Sequence, residues 1–557
     1  MNRRSVAAGV SAVALVVAAI MGNCADGAAA ETTPDDKTLR ADFNGDGYDD
    51  LAVGVPAFDV GSKANAGAVA IVYGTKAGPG TRTPNWDPEP SPLPTNSQLI
   101  TQNTPGIADV SETGDQFGYT VLAGRFNADR YVDLAIGVPF EDVGGVVDGG
   151  AVHILYGSPS GLKNTGSSYF TQGSPGVPGA VEPGDRFGMS LTAGDFGKSA
   201  IADLAVGVPY EDVGAKVDAG AVQILYGTGT GLTGSGSVTI TQNSAGVPGA
   251  AERGDRFGAS LAAGDFGKSG LADLAVGVPF EGLGRAADAG LIHVFYGSTK
   301  GLTGKGSVAI SQDTPGVASS AERGDRFGSA LAAGDFGKTT HADLVIGAPT
   351  EDLLGDDIDV GVIHVFYGAA AGITVTGSQY ISQDTSNLPG ATERGDQFGS
   401  SLAVGEFGGT RQSDLAVGTP FEDLVNLGDP RLTNPDAGGV HVLLGSPAGL
   451  DPTTAFFFCQ DSLEVPSTGE LGDRFATALT AGNFGGTEFD DLAVGVPFED
   501  LDGTKVPDAG AVNLFFGSAS GTMKEKLPRY LTRDNAGLGQ SGSDERFGFT
   551  LGSLVGG

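Results

Sequence analysis

The sequence predicts an all-β fold, a seven-bladed β-propeller of four-stranded antiparallel blades, and three observations carry that expectation. The first is one stretch that returns seven times. It reads DLAVGVP at Asp50, Asp203, Asp273 and Asp491, DLAIGVP at Asp133, DLVIGAP at Asp343 and DLAVGTP at Asp414. The intervals between the leading aspartates are 83, 70, 70, 70, 71 and 77 residues, a period that marks a repeat architecture. The second is composition: 93 glycines and 29 prolines in 557 residues suit many short elements joined by tight turns. The third is that each period holds four short apolar segments with no helical window between them.

One unit, taken in order, shows how the elements arise. Phe257 to Ala262 alternates large and small residues, the period-two signature of a strand. Gly264 to Ser269 is a turn cluster. Leu274 to Val278 is the second strand, with Leu and Val on one face and Ala and Gly on the other, and Pro279 stops it because proline cannot donate to a central ladder. Leu291 to Tyr296 is the third strand and Ser307 to Gln312 the fourth. The Ala/Gly face has a steric use, since blades pack sheet on sheet and small side chains admit the neighbour's larger ones. A solenoid is the rival, but its repeats are shorter and usually parallel.

The ends of the chain predict how the ring closes. Repeat 1 opens at Leu39 to Phe43 and lacks most of its first strand, whereas Glu545 to Leu551 is such a strand without the rest of a blade. A C-terminal strand that completes the N-terminal blade removes two open sheet edges. Ahead of the repeats, residues 1–30 read as an export signal, with Arg3 and Arg4, an apolar run from Val6 to Met21 and a small-residue site at Ala28 to Ala30. Residues 31–39 are a linker and residues 40–557 the propeller. The apolar run is short for a membrane span, so no stable membrane insertion is expected. Cys24 leaves lipid anchoring open, although its surroundings fit that signal poorly. Cleavage after Ala30 would leave Cys459 alone, in an apolar setting that suits a buried thiol.

The charge narrows the partners. Acids outnumber bases 67 to 32, for a net charge of −35, and no basic cluster occurs. Such a field disfavours nucleic acid and anionic membrane.

Gly184-Asp185-Arg186-Phe187-Gly188 recurs from Gly254 and from Gly324, and it pairs with Gly347-Ala348-Pro349 and the Gly-Val-Pro variants elsewhere. These motifs resemble the FG-GAP repeat of the integrin α-subunit head and of related bacterial exported proteins. The resemblance covers essentially all of the chain after the signal. It implies a seven-bladed propeller with calcium loops on one face and ligand recognition on the other.

Repeat 1 carries the one complete candidate metal loop. In the pattern D-x-N-x-D-G-x-x-D, Asp42, Asn44, Asp46 and Asp50 offer carboxylate or amide oxygens, Tyr48 its backbone carbonyl, and Gly47 a sharp turn. Val53 stands where an EF-hand places its bidentate glutamate, so that reading fails. The alternative is an Asx-rich turn satisfied by its own backbone. Calcium is expected here as a structural ion. The other loops depart: repeat 2 begins with Arg125, repeats 6 and 7 with Glu406 and Asn483, and repeats 3 to 5 place Lys198, Lys268 or Lys338 between two aspartates. There the ammonium group is expected to take the ion's place between the carboxylates.

Acidic loops follow the second strand and precede the third, as in Glu211, Asp212 and Asp218. They could form a rim that takes cations or polyhydroxylated ligands, but their recurrence blade after blade favours turn caps. Arg253-Gly254-Asp255, Arg323-Gly324-Asp325 and Arg394-Gly395-Asp396 spell RGD only because the repeat passes through those letters. His153, His293, His364 and His441 share a third-strand position that Gln223, Asn513 and Ala70 also fill, which suits a polar strand slot rather than a base. No nucleophile elbow, C-x-x-C or H-E-x-x-H occurs. Two blades are individual. Repeat 1 has a proline-rich insert holding Trp86, which could stack on a sugar or cap the blade edge, and repeat 6 has an enlarged loop from Leu424 to Asp436. The expected function is a secreted or cell-surface, monomeric, non-enzymatic propeller that binds an extracellular protein or glycan, in adhesion. A glycan-binding lectin and, further off, a secreted hydrolase are the alternatives.

Overall fold

The computed structural model describes residues 41–79, 97–353, 358–425, 433–462, 465–501 and 505–552. Seven four-stranded antiparallel sheets follow one another along the chain. Blade 3 gives the plan: Ser190–Gly194 pairs with Asp203–Val208, then Ala221–Thr228, then Gly231–Ile240. Each first strand also contacts the first strands of the blades on either side, so seven inner strands form a closed ring. Blade 1 receives its inner strand from the far end of the chain. Thr550–Leu551 pairs with Leu51–Val55, setting Leu551 opposite Val53 and Thr550 opposite Gly54. The predicted closure is therefore realised, and no inner edge is left open.

One strand differs from expectation. In blade 4 the inner strand is Ser260–Gly264, not Phe257 to Ala262. Gly258 has φ +89°, a left-handed conformation that breaks an extended run. Phe257 lies before that break, and its N–H bonds Ala219 O of blade 3. Its ring is fully buried, as are those of Phe117, Phe187, Phe327, Phe398, Phe475 and Phe547 at the equivalent positions. The large–small alternation therefore records a plug followed by a turn. Burial of such a ring contributes about 1.5–3 kcal/mol.

The glycine of the second strand is fixed by the neighbouring blade. A Cβ on Gly207 would lie 2.0 Å from Ser190 Oγ and 2.3 Å from Gly258 O of blade 4. Gly137 and Gly277 face the same approach from the carbonyls of Gly188 and Gly328, at 2.3 Å and 2.2 Å. The core is accordingly made between blades: Leu122, Val152 and Ile154 of blade 2 pack with Leu204, Val206 and Leu225 of blade 3.

Candidate functional site

The leading aspartate is a latch in most repeats. Asp203 accepts Phe196 N–H through Oδ2 at 3.0 Å and Gly227 N–H through Oδ1 at 2.8 Å, which ties the turn after the first strand to the end of the third. Asp133, Asp273 and Asp343 make the same two bonds in their blades. Burial pushes each of these carboxyls up to about 7.

Asp50 makes these bonds too, to Phe43 and Gly74, so its presence does not by itself require a metal. The rest of the repeat 1 loop wraps around Asp42. Its Oδ1 accepts from Gly45 N–H at 2.6 Å and Asp46 N–H at 3.1 Å, and its Oδ2 from Gly47 N–H at 2.8 Å. Asn44 Oδ1 accepts Asp46 N–H, and Asp46 Oδ1 accepts Tyr48 N–H. Asp42, Asn44, Asp46, Tyr48 and Asp50 thus come together in one turn, with Asp46 exposed and Asp50 buried. Among the described residues, the carboxylates of Asp42, Asp46 and Asp50 do not gather within 4.8 Å of one another. The oxygen-only donor set suits a hard cation, which would compete with the loop amides for these oxygens.

The degenerate loops are held differently from the expectation. Asp195 Oδ1 caps its own turn through Gly197 N–H at 3.0 Å. Lys198 Nζ sits 3.5 Å from the centroid of the Tyr226 ring and donates to Gly236 O at 2.7 Å. Lys268 lies over Tyr296 and donates to Gly306 O, and Lys338 lies over Tyr367 and donates to Gly377 O. A ring face and a carbonyl hold each ammonium group, in place of a bridge between two aspartates. The reason is geometric: a tyrosine ending the third strand offers a π face at the loop's mouth.

On the opposite face, the carboxylates of Asp185, Glu211 and Asp212 are engaged within the fold. Asp212 Oδ1 accepts Asp218 N–H at 3.0 Å, and Asp185 Oδ2 accepts Glu182 N–H at 2.7 Å. Glu211 Oε2 takes Gln172 Nε2 at 2.5 Å, and here the structure holds something that reading the repeats one at a time missed. Gln172 belongs to blade 2 and Glu211 to blade 3, so the bond crosses between blades. It recurs as Gln102–Glu141, Gln242–Glu281, Gln312–Glu351, Gln383–Glu422 and Gln460–Glu499, always 39 residues apart. Burial pushes Glu141 up to about 9 and Glu499 to about 8. The signal was present in the sequence as a glutamine after the fourth strand of blades 1 to 6, but it links one repeat to the next.

A second recurring arrangement lies near the channel that the ring of inner strands encloses. The Arg186 guanidinium lies 4.9 Å from the Phe140 ring and 4.3 Å from the Tyr210 ring, and Arg256 lies 4.8 Å from Tyr210 and 4.2 Å from Phe280. Arg474 lies between Phe421 and Phe498, and Arg546 over Phe498. Where the preceding blade has Ala57 or Thr350 in place of the aromatic, the arginine position holds Gln116 or Gln397. Arginine therefore appears where a preceding ring is present to receive it. The nearby channel end has a volume of about 340 Å³, with Met189, Leu261, Leu402 and Phe549 among its lining residues.

The RGD tripeptides are not displayed. Asp255, Asp325 and Asp396 are each only 1–2% exposed, with Oδ2 on the backbone N–H three residues earlier. His153, His293, His364 and His441 are fully buried, and burial lowers them to about 4, 4, 3 and 4. Each lies 5.2–5.5 Å from a plug phenylalanine, which makes them neutral core residues. Cys459 is buried, and its thiol is pushed up by burial. Trp86 and most of the repeat 6 insert fall outside the described residues. No helix among the described residues is long and apolar enough to cross a membrane.

Comparison with known proteins bears on these faces. The FG-GAP repeat family model matches residues 39–72, 117–155 and 257–295. The chain is 26% identical over 329 residues to phosphatidylinositol-glycan-specific phospholipase D of Bos taurus, covering 57% of this chain and 36% of that protein. It is 28% identical over 265 residues to integrin alpha-PS2 of Drosophila melanogaster, covering 46% of this chain and 17% of that one. With integrin alpha-5 of Xenopus laevis the identity is 29% over 238 residues, covering 42% and 20%. The chain thus spans between about a sixth and about a third of these relatives' own lengths.

Proposed function

From the premise that this chain is an FG-GAP repeat protein with the integrin-like seven-bladed propeller, we propose that it is an exported, non-catalytic binding module for an extracellular protein or glycan. The observation that carries this reading is the arginine–aromatic belt at the channel end. Half-buried rings and guanidinium groups there stand on a ring of strands locked between blades. Rigid aromatic and arginine side chains supply contact area at low entropic cost, which is what recognition surfaces use. The similarity to integrin alpha subunits supports a protein ligand. Adhesion, secretion and a monomeric state belong to the same proposal.

Calcium in the repeat 1 loop is part of it. Asp42, Asn44, Asp46 and Asp50, with the Tyr48 carbonyl, would hold the ion, which would clip the turn and do no chemistry. At about 0.1 mM affinity, typical of extracellular modules, millimolar calcium would add about 1.4 kcal/mol. Chelator is then expected to lower the Tm of the wild-type chain by a few degrees and to leave Asp42→Asn/Asp46→Asn unchanged. Equal Tm values for the wild type with calcium and with chelator would remove the ion from the account.

The direct test is binding of the chain to an array of matrix proteins and glycans, with Arg186→Ala/Arg256→Ala alongside. Hits that the double variant loses support the belt as the binding face, whereas hits that persist place recognition elsewhere. A hydrolase reading draws on the phospholipase D similarity. Turnover of a phosphatidylinositol-glycan substrate by the purified chain would favour it over pure binding.

A further inference from the structure

We propose that blade 6 carries a divalent-cation site on the acidic-loop face, formed by Glu393, Asp396 and Glu422 with the side-chain oxygen of Gln383. This site is separate from the repeat 1 loop: it joins the loop before the first strand to the loop after the second.

Three observations single it out. Among the described residues, these are the three acidic side chains whose carboxylate oxygens come within 4.8 Å of one another. The equivalent trios, such as Glu182, Asp185 and Glu211 in blade 3, do not draw so close. Next, Asp396 Oδ2 accepts Glu393 N–H at 2.7 Å, while its Oδ1 is buried with no partner. Its counterparts Asp115, Asp185, Asp255, Asp325 and Asp473 have no such orphan oxygen, although Asp396 is only 1% exposed. Finally, Gln383 donates Nε2 to Glu422 Oε2 at 2.6 Å, and its own Oε1 is buried without a partner. That last feature recurs at the other blade junctions, so the amide is a ready neutral ligand and the crowding of carboxylates is what is particular to blade 6.

The physical argument follows from charge. Asp396 and Glu422 are nearly out of water, and bringing a third carboxylate against them costs energy that a proton or a cation among them would relieve. Acids and an amide are hard oxygen donors, which select calcium, magnesium or manganese over softer metals. Glu393 is exposed, so an ion would have a way in from solvent and coordination positions left for water.

The test is calorimetric titration of the whole chain with calcium and with manganese, in an Asp42→Asn/Asp46→Asn background that disables the repeat 1 loop. One bound ion per chain is expected, weakened at least tenfold by Glu393→Gln and abolished by Glu422→Gln. Glu393→Gln alters an exposed side chain, so it remains informative if Glu422→Gln fails to fold. No binding by the background variant, with a cooperative melt that shows it folded, would overturn the proposal. So would binding that survives Glu393→Gln and Glu422→Gln unchanged. A wild type and a background variant that each bind one ion would sink the repeat 1 loop reading and leave the blade 6 site standing.

Discussion

At the scale of single residues, the carboxylates of this acidic chain act mainly as acceptors for its own backbone. Asp203 shows the rule, with two buried N–H groups resting on one side chain. Each donor left without a partner costs about 1–3 kcal/mol. Asp203→Ala should therefore lose about 2–6 kcal/mol in denaturant melts, and Asp203→Asn, which keeps one acceptor, clearly less. Glu141 makes a prediction about pH. Its folded-state value, about 9, lies far above the ordinary 4.5. Its contribution is complete below pH 4.5 and is lost as pH rises toward 9. The buried histidines work in the opposite sense. Lowered from 6.5 to about 4, they favour the fold above pH 6.5 and act against it as pH falls toward 4. Between pH 6.5 and 9 the buried carboxyl groups act, joined near pH 9 by the Cys459 thiol, so Tm should fall across that range, and less steeply in Glu141→Gln. A flat profile in the wild type would show that Glu141 is ionised in the folded protein.

At the scale of the element, the second strand is shaped by what lies against it. Gly207 faces the Gly258 carbonyl of the next blade so closely that a methyl group has no room. Gly207→Ala should lower stability by about 1–3 kcal/mol, the range for overpacking a filled core, and a neutral result in urea unfolding would mean that the blades can slide apart. The lysines of blades 3 to 5 make the contrasting case. Lys268 is exposed and rests on Tyr296, so Lys268→Met should cost no more than about 0.5–1 kcal/mol. A much larger loss would revive the ammonium as a substitute ion. The composition of both elements could be read from the sequence. The partner of Lys268 could not, because the loop and the tyrosine are 28 residues apart and nothing local joins them.

At the scale of the whole molecule, the seam between blades 7 and 1 is built differently from the other six junctions. Where they carry a Gln–Glu bond, it has Arg533 facing Phe58, with the guanidinium 5.1 Å from the ring and 3.0 Å from Glu545. Arg529 reaches across to the carbonyls of Gly78 and Pro79, and Asn483 N–H to Asp49 Oδ2. The last described strand fills the inner place in blade 1. A chain ending at Asp544 loses that strand and the Phe547 plug and exposes the Leu51–Val55 edge. It should melt lower and show concentration-dependent oligomers in size-exclusion chromatography. A monomer with unchanged Tm would mean that six complete blades hold the ring without closure.

The sequence alone determined the repeat, the number of blades and the closing strand, and it placed five candidate oxygen donors in the repeat 1 loop. Each of these is either periodic along the chain or confined to a few adjacent positions, and chain order exposes both. It marked the extent of the acidic loops without deciding their use, since a turn cap and a ligand rim have the same letters. The tertiary structure adds the internal partners of Glu211 and Asp212, which accept Gln172 Nε2–H and Asp218 N–H. It also decided the Gln–Glu bonds between blades, the stacking of Arg186 between Phe140 and Tyr210, and the gathering of Glu393, Asp396 and Glu422. These contacts join residues of neighbouring blades or of separate loops. Their geometry depends on how the blades tilt and pack against one another, and no single repeat encodes that.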